Sequence, residues 1–90
     1  MGTALVKIKI MPVAPGVDLD KITEDAKKII KSKKVLNPVF EQQPIAFGLI
    51  AVIAGFAWPE ENELEDLEQE LRTIQDVNSV EVIDLRRAIG

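Results

Sequence analysis

The chain contains no cysteine, no histidine and no tyrosine. Lacking cysteine, it has no disulfide, no thiolate nucleophile and no zinc–thiolate site. Lacking histidine, it is without the commonest metal ligand and the one side chain that ordinarily changes charge near neutral pH. Carboxylates, lysines, arginines and a few hydroxyls are what remains for chemistry, and neither a cofactor nor a metal is expected. Aromatics are scarce too, with three Phe and one Trp. RNA-recognition modules stack bases on sheet aromatics, and the first strand-like segment has none to offer. Positive charge is in deficit: the formal net charge is −4, whereas nucleic-acid binding rests on phosphate contacts from a basic face. No direct nucleic-acid partner is expected.

Apolar runs are short. The longest, residues 45–58 (IAFGLIAVIAGFAW), carries no charge, lies between Pro44 and Pro59 and contains Gly48 and Gly55. A membrane-spanning helix needs about 20 such residues, so this run reads as a buried strand. Residues 1–11 are too short for a signal peptide and carry Lys7 and Lys9. No membrane partner is expected. Its 90 residues make one domain spanning 1–90, and 47% apolar residues supply enough surface to offset chain entropy.

Periodicity then sets the elements. In residues 3–11, Ala4, Val6, Ile8 and Ile10 alternate with Lys7 and Lys9, which predicts a half-buried strand. Pro12, Pro15 and Gly16 make a loop. Asp18 is an N-cap candidate, and Leu19, Ile22, Ala26, Ile29 and Ile30 recur at helical spacing, predicting a helix over 18–32. Its acidic residues lie early and its lysines late, which suits the helix dipole. Residues 35–43 read as a weaker strand, which Pro38 confines to a sheet edge or a bulge. Residues 45–57 read as a central strand, apolar on both faces. Leu64, Leu67, Leu71 and Ile74 predict a helix over 60–75. Residues 78–85 alternate again, with Val80 and Val82 opposing Ile83 and Leu85; Arg86 and Arg87 follow, then a short tail through Ile89 to Gly90. The order β-α-β-β-α-β with right-handed crossovers predicts an α+β, ferredoxin-like sandwich. Its antiparallel strands run 4-1-3-2, with both helices on one face.

Few constellations carry chemistry. The acidic run of Glu60, Glu61, Glu63, Glu65, Asp66, Glu68 and Glu70 lacks the glycine-turned loop of a calcium site, and a charge run on a helix is usually a solvated face. Asp84 reads as the partner of an arginine. Phe47 precedes Gly48 at a loop–strand junction. Most apolar residues on strands are packed, which favours a core place for Phe47 over an exposed anchor. Arg86 and Arg87 read as solvated tail residues. On these grounds alone, three classes stay in view. They are a protein-binding module, a ferredoxin-like regulatory module for a small ligand, and a small hydrolase of the acylphosphatase type. The last needs an arginine in the loop after the first strand, and MPVAPGVD has none.

The segments QPIAFGLI (43–50), the acidic helix over 60–75 and VNSVEVIDLRR (77–87) together resemble the archaeal elongation factor 1-beta family. The opening LVKIKIMP and the VDL that starts the first helix extend the resemblance over essentially the whole chain. It implies a ferredoxin-like fold and promotion of GDP-for-GTP exchange on elongation factor 1-alpha, by binding the GDP-loaded GTPase and without covalent chemistry. It also implies a chain acting alone, as a monomer, in the cytoplasm. Partner-binding residues then fall on Phe47 with Gly48 and on Arg87 or Arg86. In the eukaryotic relatives, the aromatic matching Phe47 enters a pocket on the second domain of the GTPase. A lysine near the C-terminus, matching Arg87 in this alignment, reaches toward the magnesium site. Here that position is arginine, a planar fork rather than a compact ammonium. Strand order places Phe47 and Arg87 at opposite ends of the sheet, about 30 Å apart at 3.3 Å per residue.

Overall fold

The two-residue period near the start of the chain builds β1 (Thr3–Pro12), whose Ala4, Val6, Ile8 and Ile10 are all buried. The remaining elements are α1 (Leu19–Ser32), β2 (Val39–Pro44), β3 (Ile50–Pro59), α2 (Leu64–Arg72) and β4 (Val77–Ala88). The computed structural model describes residues 2–88; Ile89 and Gly90, assigned above to the tail, lie outside the described residues. The strands form one antiparallel sheet in the order β2-β3-β1-β4. This is the expected ferredoxin-like arrangement.

Both helices pack on the same face of the sheet. Asp18 caps α1, its carboxylate accepting from the Lys21 N–H at 3.2 Å. Ile22, Ala26 and Ile30 fall at four-residue steps, so one stripe of α1 enters the core. Leu67 and Leu71 do the same for α2. They meet Val6, Ile8 and Ile10 of β1, Val52, Ala54, Phe56 and Trp58 of β3, and Val80 of β4. Each large side chain sealed there contributes about 1.5–3 kcal/mol. At the end of α1, Lys33 Nζ lies 2.6 Å from Glu70 Oε1 and ties the two helices together. Among the described residues, no helix lies over the opposite face of the sheet. There Lys9 of β1 and Glu81 of β4, registered partners, stand 3.4 Å apart.

Several boundaries differ from the sequence reading, each for a local reason. The second strand begins at Val39 rather than 35, because Lys34 (φ 67°) and Asn37 (φ 53°) turn the backbone first. Pro38 therefore precedes the strand and costs the ladder nothing. The apolar run 45–57 is not all strand: residues 45–49 form the turn between β2 and β3, and the strand begins at Ile50. The second helix is shorter than 60–75. Asn62 N–H donates to Pro59 C=O at 3.0 Å, and residues 60–63 hold no apolar side chain that a helical turn could bury. Finally β4 runs to Ala88, so Arg86 and Arg87 are ladder residues and not tail. A register shift between Lys7 and Ile8 leaves Ile83 without a partner on β1. This bulge returns Leu85, opposite Val6, to the same face as Val80 and Val82, where strict alternation had placed it on the other.

Candidate functional site

The β2–β3 turn decides where Phe47 goes. Leu49 N–H donates to Ala46 C=O at 2.9 Å, and Ile45 N–H donates to Leu49 C=O at 2.9 Å. The two central residues, Phe47 and Gly48, have φ of 55° and 78°. This is the φ signature of a type I′ turn, whose central positions favour Asn-Gly because both need positive φ. Gly48 meets that need without strain. Phe47, a bulky residue, does not. It is also 96% exposed, so no burial offsets the strain. The expectation of a core place for Phe47 is thus corrected: turn geometry, not strand packing, sets its environment. A Cβ added at Gly48 would stand 3.5 Å from the Pro15 side chain, so the hairpin tip rests beside the β1–α1 loop. Val13 in that loop and Ile45 in the hairpin are exposed as well, giving this end of the molecule an apolar character.

The two arginines lie at the other end and on opposite faces. Arg86 is registered with Leu5 on the open face, and its Nε lies 3.2 Å from an Asp84 carboxylate oxygen, the ion pair expected for Asp84. Arg87 is registered with Ala4, itself opposite Trp58, on the helix side. The Arg87 Nε donates to Glu60 Oε2 at 2.6 Å while most of its side chain stays exposed. Beside it opens a cleft of about 680 Å³ with Ala4, Trp58, Leu64 and Leu85 as its apolar walls. Trp58 is buried, lies edge-on to Phe56 with ring centroids 5.8 Å apart, and donates its Nε1–H to Asn62 C=O at 3.0 Å. That bond fixes the segment that carries Glu60.

The structure therefore does not bring the four sequence-selected residues together. Phe47 and Gly48 occupy the pole where β1 ends; Arg86 and Arg87 occupy the pole where β1 begins. From Ile50 to Trp58, level with Arg87, is about 26 Å at 3.3 Å per residue, and the longest extent of the molecule is 41 Å. Glu60 was not singled out by the sequence. It sat inside an acidic run, and no spacing signal separates it from Glu61 or Glu63. Among the described residues, no group of three or more acidic side chains converges as a metal site requires, and no helix is long and apolar enough to cross a membrane.

Residues 5–88 match the family model of the EF-1 guanine nucleotide exchange domain. The chain is 36% identical to the elongation factor 1-beta of Methanococcus aeolicus, an alignment covering 94% of this chain and 97% of that one. It is also 36% identical to the elongation factor 1-beta of Methanocaldococcus jannaschii, covering 98% and 100%. The same identity holds for that of Methanothermobacter thermautotrophicus, covering 97% and 98%. With a family model matched from β1 to the end of β4 and full-length relatives on the same pattern, the chain belongs to the EF-1 guanine nucleotide exchange family.

Proposed function

We propose that this chain promotes release of GDP from elongation factor 1-alpha, so that GTP can replace it, and that it does so by binding alone. The observation that carries the reading is Phe47: an almost fully exposed aromatic, held at positive φ on a tight hairpin, at the pole opposite Arg87. A strained, solvent-exposed aromatic stabilises nothing within its own fold, and such outliers gather where a partner is met. Phe47, with Gly48 keeping the turn tight, anchors one surface of the GTPase. Arg87, with Arg86 next to it in the chain but on the opposite face of the strand, addresses a second surface near the bound nucleotide.

A rigid sheet about 26 Å from Ile50 to Trp58 then transmits strain between the two surfaces. The energetics are those of a coupling free energy: whatever ratio the chain takes from GDP affinity, GDP takes from the affinity of the chain. Nothing in this scheme requires a covalent step, and the chain acts as a monomer on the GDP-bound GTPase in the cytoplasm. The test is release of a fluorescent GDP analogue from purified archaeal elongation factor 1-alpha, with unlabelled GTP in excess. Release should accelerate with added chain and reach a plateau. Release that stays at the intrinsic rate at saturating chain overturns the reading.

A further inference from the structure

We propose that Glu60 is a positioning residue for Arg87: it holds the guanidinium by Nε alone and leaves the terminal amino groups to face the partner. The inference rests on the reading of Arg87 as a partner contact and adds how that contact is prepared. Three observations carry it. The Nε–Oε2 distance is 2.6 Å, and this is the one ion pair of Arg87 among the described residues. The two side chains are unequally covered, with 82% of Arg87 exposed against 28% of Glu60. The carboxylate is therefore the seated member and the guanidinium the projecting one. The seat itself is built by Gly2, the residue just before β1. Glu60 N–H donates to Gly2 C=O at 3.0 Å. A Cβ added at Gly2 would fall on Glu60 Oε1, so the carboxylate occupies space that only glycine leaves open. One carboxylate oxygen thus rests over Gly2 while the other meets Arg87.

An exposed ion pair by itself is worth little; its consequence here is geometric. A guanidinium carries five N–H donors in a rigid fork. Engaging Nε fixes the plane of that fork and still leaves its outer amino groups for a carboxylate, phosphate or carbonyl of the GTPase. A lysine gathers its charge and its three donors on one side-chain nitrogen. Placed at the same position, an ammonium paired with Glu60 would be held whole at the carboxylate, with no second nitrogen projecting toward the partner. Glu60 should therefore help an arginine and hinder a lysine at position 87.

That sign reversal is the test. The plateau rate of stimulated GDP release is measured for wild type, E60Q, R87K, the E60Q/R87K double variant and R87A. R87K should lower the plateau about tenfold. E60Q keeps the shape of the seat and removes its charge. It should lower the plateau about threefold in the arginine background and raise it in the R87K background. A loss of fold stability would move both backgrounds the same way, so the reversal reports positioning. R87K equal to wild type, or a double variant no faster than R87K, overturns the proposal. R87A with the full plateau would instead remove the contact on which the proposal rests. The pairing is then judged without the partner, from the Arg87 Nε–Hε signal in NMR. Slow exchange with water in wild type and fast exchange in E60Q supports the clamp; fast exchange in both overturns it.

Discussion

Replacing Phe47 with asparagine should make the protein more stable and a weaker binder at once. Phe47 sits at φ 55° with 96% of its surface exposed. A side chain with Cβ in the left-handed region costs roughly 1–2 kcal/mol, and asparagine tolerates that region far better than phenylalanine. With Gly48 following, F47N creates the Asn-Gly pair that type I′ turns favour. Hardly any packing is lost, because hardly any exists. The net gain should be about 0.5–1 kcal/mol, which for a domain of this size raises Tm by about 3–6 °C. Binding moves the other way. Loss of a central aromatic anchor costs about 2 kcal/mol, or about 30-fold in Kd for elongation factor 1-alpha. Thermal unfolding by circular dichroism and a titration against the GTPase read the two effects separately. A lower Tm would mean that Phe47 packs and that the turn geometry described above is wrong. An unchanged Kd would mean that the exposed ring is not the anchor, and the strain at position 47 would be left without a function.

Other substitutions probe the scaffold. Ile8 is fully buried at the centre of β1, and Ile8→Ala should cost about 2–5 kcal/mol in denaturant unfolding; a cost below 1 kcal/mol would place it outside the core. Asp18→Ala removes the α1 cap and should cost about 0.5–2 kcal/mol, again read by denaturant midpoint, with no effect on exchange. Trp58, the one tryptophan and a buried residue, should emit in the blue and resist acrylamide quenching, both properties lost together on unfolding. Ready quenching of the native protein would contradict its packing against Phe56.

Much of the fold was legible because its signals are local and repeated. The period in β1 has four consecutive members, and α1 has a cap, a buried stripe and a charge gradient that agree. Strand order followed from chain order and handedness. What was not legible depends on single backbone torsions. Nothing in IAFGLI distinguishes a strand from a hairpin tip, since all six residues are uncharged; the positive φ of Phe47 and Gly48 makes the turn. The bulge at Ile83 likewise has no glycine to announce it, yet it decides that Leu85 and Arg87 share the helix side. The second helix was overextended because Glu60, Glu61 and Glu63 are acceptable helix formers. The turn at Pro59 and the Trp58–Asn62 hydrogen bond outweigh that propensity. The same local geometry separates Glu60 from its acidic neighbours and seats it beside Arg87.

A division of labour between the two poles is the centre of the account, and a concentration series reads it directly. The rate of GDP release from elongation factor 1-alpha is followed against increasing concentration of wild type, Phe47→Ala and Arg87→Ala. An anchor that binds equally before and during nucleotide release changes only the midpoint, whereas a group acting on the release step changes the plateau. Phe47→Ala should therefore shift the midpoint upward with the plateau intact, and Arg87→Ala should lower the plateau with the midpoint nearly unmoved. If both substitutions change the same parameter, or if neither changes anything, the two poles do not act as an anchor and a lever on one GTPase.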